Sequence, residues 1–434
     1  MSAIAVRWFV CASLGSLLLA STAAGQTTAA PSEPNNDPVT LGTMVGFPPA
    51  ADKVVTRANI LKPQNSRWAF RNLRQLYPTR TVQRADMPRP LTAKAQRDLG
   101  ATEFALGGGE KITIAQWQRR TGTDALVVLH GGRIAYQYYA PGMTGRTSHA
   151  LWSMSKSMVG LLAMMAIDEG RLEADRAVTD YLPELKGTGW EGATVAHALD
   201  MQVGIAYRET FADPTADIFR YLFAAGLLVP PSNLPVSDNL YQYLATIGAK
   251  GSHGAVFDYK SADTEVVSWI LQRQYDKKLA DLLSEKLWSP IGAQDDAYYI
   301  VDPYGIDIGS VGMAASALDL ARLGQTLGDG LNGKGRNVRG KVLSPLRDGS
   351  TRDAFAKSVQ APIRQGYSYR NQWWIPNDAD GTVEAKGLFG QHLVINPAKN
   401  VVIVKLSTNP SGDTILTHAL DKAAFAAIVA EMSQ

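Results

Sequence analysis

Two hairpin-like stretches frame this chain and set the main constraint on its fold. The first runs Ala125-Leu-Val-Val-Leu-His130, then Gly131-Gly132, then Arg133-Ile-Ala-Tyr-Gln-Tyr-Tyr139. Two glycines supply the positive φ angles that a two-residue hairpin turn needs. The second runs Gln391 to Ile395, turns through Asn396-Pro397-Ala398-Lys399-Asn400 and returns along Val401 to Ser407. Between them the apolar spacing is mostly helical. It predicts helices over Ser155–Glu169, ended by Gly170, and over Val195–Met201, capped by Thr194. Further helices are predicted over Asp263–Tyr275, Leu279–Leu287 and Ser316–Leu327, and a last one over about Asp413–Met432. Strands at both ends of a helical middle imply an α/β (α+β) architecture: one antiparallel sheet flanked by helices, with an inserted all-helical lobe at about 171–300. No internal repeat is present.

Composition narrows the functional classes. Of 434 residues, 45% are hydrophobic and 19% charged, which suits a chain with a large core rather than a disordered one. A net charge of +3 offers no field to hold nucleic acid. The single cysteine, Cys11, excludes an internal disulfide, a Cys-rich zinc site and an iron–sulfur cluster. The six histidines lack ligand spacing, so neither a metal nor another cofactor is expected.

The N-terminus reads as an address. Arg7 precedes an apolar run from Trp8 to Ala20, too short to span a bilayer, and small residues follow at 21–25. The expected organisation is a signal peptide at 1–25, a flexible linker at 26–50, an arm at 51–114 packed on the core, and a catalytic domain at 115–434. The mature protein is expected to be exported, periplasmic or secreted, and free of stable membrane insertion. The alternative is an uncleaved anchor.

Several motifs fail on context. Gly187-Thr-Gly189-Trp-Glu-Gly192 spells GxGxxG but follows Leu182-Pro183 instead of a strand. Gly328 to Gly335 approaches a P-loop, yet Gly335 stands where a magnesium-binding hydroxyl is needed. His130-Gly131-Gly132 resembles a lipase oxyanion motif, but the chain has no GxSxG elbow.

One constellation survives. Ser153 and Lys156 have SxxK spacing, which on a helix places both side chains on one face, one turn apart. A helix N-terminus would also favour developing negative charge. SxxK alone is weak, because Ser153 as a helix cap and Lys156 as a solvated side chain would explain it equally well. Two further elements add weight: Tyr259-Lys260-Ser261 directly before a predicted helix, and Lys386-Gly387-Leu388-Phe389-Gly390-Gln391 opening the final hairpin. Nucleophile, tyrosine loop and glycine-bearing strand edge together form an acyl-transfer set.

With these residues in place, about residues 115–410 resemble the serine β-lactamase-related hydrolases, the class C β-lactamases and family VIII esterases. The likeness is greatest to the 6-aminohexanoate-dimer hydrolases that cut nylon oligomers. It rests on Trp-Ser-Met-Ser-Lys-Ser at 152–157, Tyr-Lys-Ser-Ala-Asp-Thr-Glu at 259–265 and Ala-Leu-Asp-Leu-Ala-Arg at 317–322. Gln-Trp-Trp at 372–374, Gly-Leu-Phe-Gly-Gln at 387–391 and Val-Ile-Val-Lys-Leu-Ser at 402–407 extend it. The resemblance implies a helical lobe on a helix-flanked antiparallel sheet.

The expected chemistry has Ser153 attack a carbonyl, Lys156 act as its base once burial lowers its pKa, and Tyr259 relay the proton to the leaving group. Ser261 is expected to hydrogen-bond Lys156. By resemblance the oxyanion hole is the backbone N–H of Ser153 with that of Leu388, and Gly387 is expected to keep the substrate's approach free of a Cβ. Trp152, Trp374 and Gln391 are candidates to line or support the pocket, with core aromatics as the alternative for the two tryptophans. Two departures from the family pattern bear on specificity. Ala385-Lys386-Gly387 stands where β-lactam-reactive relatives carry Lys-Thr-Gly, so the lysine is displaced by one residue and turned to the other strand face. Phe211 occupies the place of a tyrosine that assists amide hydrolysis, which favours esters over linear amides. Three functions therefore compete: a serine hydrolase of small carboxylic esters or amides, a β-lactamase or D-Ala-D-Ala carboxypeptidase-like amidohydrolase, and a non-catalytic binding or sensor protein on the same fold.

Overall fold

The fold is built around its longest apolar strands. In this computed structural model, residues 36–93, 97–106, 109–347, 349–410 and 415–434 are described. The proposed signal peptide and the first part of the 26–50 stretch lie outside them. Of that stretch, Asn36 is buried and its side chain donates to the carbonyl (3.3 Å) and hydroxyl (3.1 Å) of Thr408, so residues from 36 onward lie on the body of the protein.

Both hairpins form where the sequence places them. Thr123–His130 and Arg133–Tyr139 pair across Gly131 and Gly132, whose φ angles are 60° and 76°. Gln391–Asn396 and Val401–Ser407 form the second hairpin. The two hairpins join edge to edge, because Val401–Ser407 pairs antiparallel with Thr123–His130. Beyond Gln391–Asn396 the sheet continues through Val383–Gly387, Trp373–Ile375 and Ser368–Arg370, giving seven antiparallel strands.

Val401–Ser407 is buried along its whole length because both faces of the sheet are covered. Val402, Val404 and Leu406 enter the main core, where the Met154–Asp168 and Ala317–Leu331 helices lie. Val401 and Ile403 face the other way, onto Leu420, Phe425 and Ile428 of the C-terminal helix Ile415–Met432. On that face Lys405 is buried but paired: Asp421 Oδ1 accepts from its ammonium at 2.9 Å and from the Trp117 indole at 2.9 Å.

The structure departs from the single-sheet expectation. A second, four-stranded antiparallel sheet joins Thr79–Val82, Ala297–Ile300, Met313–Ser316 and Ser148–Ala150. These segments hold three or four residues each, and Ala297–Ile300 and Met313–Ser316 are buried throughout, so neither shows polar alternation. A two-stranded ribbon, Glu103–Ala105 with Lys111–Thr113, stands apart. From Val178 to Trp288 the regular elements are helices, whereas Ala297–Ile300, at the end of the expected lobe, belongs to the second sheet.

The arm is integrated in the same way. Its helix Pro63–Arg71 sends Arg67 and Arg71 onto Asp124 at the start of the Thr123–His130 strand, with Arg67 Nε at 2.8 Å. Its strand Thr79–Val82 is the edge of the four-stranded sheet.

Candidate active site

Ser153 sits at the N-cap of the Met154–Asp168 helix, and Lys156 lies on the helix's first turn. The preceding residue, Trp152, has φ +49°, a left-handed conformation that is costly for a bulky side chain. The surroundings hold it there. The Ser155 hydroxyl donates to the Trp152 carbonyl (2.6 Å) and accepts from the Met313 amide (3.1 Å), fastening the turn to the second sheet. The Trp152 ring packs against both Phe70 and Phe389, at 5.1 and 5.4 Å between centroids.

Lys156 is buried and its Nζ faces three oxygens: Ser153 Oγ at 3.1 Å, Ser261 Oγ at 3.1 Å and the Ser310 carbonyl at 3.2 Å. An ammonium can donate to all three, whereas a neutral amine keeps two donors and frees a lone pair. Burial lowers the Lys156 pKa to about 8, while Glu209 and Glu265 act in the opposite sense.

These two carboxylates are the residues that sequence reasoning missed. Glu209 accepts from the Ser261 amide (2.5 Å) and hydroxyl (2.9 Å), at the N-terminus of the Ser261–Tyr275 helix. A negative charge is favoured at that helix end. Ser261 thus bridges Lys156 and Glu209. Glu265, one turn along the same helix, accepts from the amides of Gly309 (3.1 Å) and Ser310 (2.9 Å) and from the Tyr221 hydroxyl (2.8 Å). It thereby fixes the loop whose carbonyl meets Lys156. Burial raises the pKa of both carboxyls against the pull of their donors. Glu265 ends the 259–265 motif, and its place on a helix whose first eleven residues are all buried is what marks it as needing partners. Glu209 gave no such signal.

Tyr259 lies beside this group. Its ring centroid is 5.0 Å from Lys156 Nζ, and it stacks on Trp374 at 5.7 Å. Ser153, Tyr259, Ser261, Phe211, Trp152, Trp374, Gly387 and Leu388 all border one cavity of about 390 Å³. Trp373 points instead into the main core, as alternation along a strand requires. Phe211 packs edge-on against Phe219 at 6.1 Å.

The strand edge modifies three expectations. A Cβ on Gly387 would stand 2.1 Å from the Leu151 carbonyl oxygen, so the approach of the Ser153 turn by itself requires glycine there. Gln391 is fully buried and does not reach the cavity. Its amide donates to the carbonyls of Leu388 (3.0 Å) and Ser407 (2.7 Å), which makes it a support of the Leu388 turn and not a substrate contact. The Lys386 ammonium pairs with Glu384 at 2.9 Å and contacts His418 at 3.3 Å. Among the described residues, neither the Ser153 nor the Leu388 backbone N–H is engaged by another protein group.

Among the described residues, no group of three or more His, Cys, Asp or Glu side chains is placed to hold a metal ion, and no helix is long and apolar enough to cross a membrane.

Comparison with known proteins places this geometry among relatives. A family model described as Beta-lactamase matches residues 110–427. The chain is 34% identical over 376 residues to a 6-aminohexanoate-dimer hydrolase of Paenarthrobacter ureafaciens, covering 86% of this chain and 93% of that protein. Among solved structures, a Bacillus anthracis chain assigned as a 6-aminohexanoate-dimer hydrolase aligns with a TM-score of 0.79 at 26% identity, covering 88% of this chain and 98% of that one. A family VIII carboxylesterase shares the fold at a TM-score of 0.53 and 16% identity, covering 72% of this chain and 97% of the esterase.

Proposed function

This chain belongs to the β-lactamase family of serine hydrolases, and from that premise we propose that it cleaves carboxylic esters or small amides through a Ser153 acyl-enzyme. The observation that carries this reading is the 3.1 Å contact between a buried Lys156 amine and the Ser153 hydroxyl, with that amine's pKa lowered to about 8. Neutral Lys156 takes the Ser153 proton as Oγ bonds to the carbonyl carbon. The backbone amides of Ser153 and Leu388 are the proposed donors to the oxyanion, and donors of this kind are worth about 10²–10³ in rate. Tyr259 passes the proton to the departing alkoxide or amine, the C–O or C–N bond breaks, and the acyl group stays on Ser153. Water, deprotonated by the same pair, then releases the acid and restores the serine.

Esters are the favoured substrates. Phe211 brings no hydroxyl to assist an amine leaving group, and the Lys386 ammonium is held by Glu384 and is not offered to a substrate carboxylate. The relative from Paenarthrobacter ureafaciens, named for an amide dimer, is the reason small amides stay within the proposal. Export is part of it too, supported by the Arg7 to Gly25 pattern.

Ser153→Ala is expected to abolish turnover of p-nitrophenyl esters and labelling by a fluorophosphonate while leaving the melting temperature nearly unchanged. Lys156→Ala and Tyr259→Phe are each expected to lose at least about 10²-fold in kcat/KM. Full activity in Ser153→Ala would sink the assignment, and a neutral Tyr259→Phe would remove the tyrosine from the proton path.

A further inference from the structure

We propose that the cavity beside Ser153 receives the uncharged alkyl chain of a medium-length ester, and that the N-terminal arm forms the wall that selects it. This rests on the reading of Ser153 as the nucleophile and specifies what that nucleophile meets.

Three observations lead here. The first is the origin of the wall. Away from Ser153 and Tyr259 the cavity is bordered by Ile60, Leu61, Leu73 and Tyr77 from the arm, and by Leu222 and Leu227 from the helical lobe. None of these belongs to a catalytic element, and the arm lies outside the 110–427 family match. Ile60, Leu73 and Leu227 are buried residues, so this side of the cavity is formed by the packed body of the protein. An apolar lining of this kind offers dispersion contacts to a hydrocarbon chain.

The second observation is rigidity. The Tyr77 hydroxyl donates to the Leu227 carbonyl at 3.0 Å, tying arm to lobe across the wall. Arg67 and Arg71 fasten the arm helix to Asp124. The wall is therefore held in place before a substrate arrives, as pockets for small molecules generally are.

The third is charge. Among the described residues, two charged residues border the cavity, Glu209 and Lys386, and both side chains are engaged elsewhere: Glu209 by the Ser261 amide and hydroxyl, Lys386 by Glu384 and His418. A carboxylate or ammonium on the substrate would have to shed water here without a partner, which is strongly unfavourable. Methylene groups gain by the same transfer. The site thus selects for hydrocarbon and against a charged tail.

The test uses the full chain and two ester series. One varies the acyl chain of p-nitrophenyl esters from acetate to octanoate, and the other varies the alcohol of alkyl acetates from methyl to octyl. In one series kcat/KM is expected to rise about threefold per methylene and then level off, and the series that responds tells which side of the ester lies in the cavity. A p-nitrophenyl ester whose acyl chain ends in a carboxylate is expected to be cut at least about tenfold more slowly than its neutral counterpart of equal length. Leu227→Trp is expected to lower the ratio of long-chain to acetyl turnover at least about tenfold. Leu73→Ala is expected to move the plateau to longer chains, so the wall stays testable if the tryptophan variant does not fold. Flat profiles in both series, or ratios unchanged in both variants, with Ser153 still labelled by fluorophosphonate, would overturn this proposal alone. Absence of both labelling and ester turnover would overturn the reading of Ser153 and this proposal with it.

Discussion

The charge state of Lys156 is decided within one hydrogen bond of its Nζ. As an ammonium it satisfies Ser153, Ser261 and the Ser310 carbonyl together, and only as an amine can it receive the Ser153 proton. Turnover should therefore rise with pH as Lys156 loses its proton, and the acidic limb of kcat/KM is expected to have its midpoint near the lysine's pKa of about 8. Glu209 favours the ammonium, so removing its charge should ease deprotonation. Glu209→Gln is accordingly expected to move the limb to lower pH. A limb that stays in place or moves upward would leave Glu209 only the task of holding Ser261. The grouping of Ser153, Lys156, Tyr259 and Ser261 was legible because each falls in a short motif with characteristic spacing. Glu209 was not, since its role depends on the Ser261 amide, which lies 52 residues further along the chain.

At the scale of elements, the hairpins were legible because their turns carry Gly-Gly and Asn-Pro signals and their strands are long enough to show a pattern. The four-stranded sheet was hidden because its strands are short and assemble from three distant parts of the chain. The part played by Gly387 also needed the structure: the local sequence shows a glycine beside the site, but not that the Leu151 carbonyl closes on it. Gly387→Ala must push the strand edge away from the Ser153 turn and carry the Leu388 amide with it. The expected result is a loss of about 10²-fold or more in kcat/KM, with about 1–3 kcal/mol lost from stability by overpacking. Ester kinetics and a urea midpoint on the same preparation would check both. Unchanged kinetics would show that the Leu388 amide does not hold the oxyanion.

For the whole molecule, the decisive joint is between arm and sheet. Asp124 is fully buried and meets Arg67, Arg71 and, at 3.1 Å, His149 Nε2. Burial alone would raise its pKa, but the His149 hydrogen bond and the two guanidinium groups outweigh that and hold it well below the usual carboxylate range. A carboxyl with a depressed folded-state pKa stabilises the protein above its unfolded value of about 3.9, and that stability fades as pH falls further. The protein is expected to lose melting temperature below about pH 4, and Asp124→Asn to lose about 3–5 kcal/mol at neutral pH by leaving two largely covered guanidinium groups without their carboxylate. Denaturant melts across pH would check this, and a variant as stable as the parent at pH 7 would contradict it. The arm's packing was foreseen only in outline, because an arginine that reaches a buried aspartate 53 residues away looks, in sequence, like any surface arginine. The junction of the two hairpins has a further consequence for biosynthesis. One edge of Thr123–His130 meets its hairpin neighbour at once, but the other is covered by Val401–Ser407, made roughly 270 residues later. At about 5–20 residues per second, the ribosome leaves that edge bare for roughly 15 to 50 s. An unpaired apolar strand is a template for adhesion between chains. The half-made polypeptide, rather than the finished hydrolase, is thus the form that most needs a chaperone's protection.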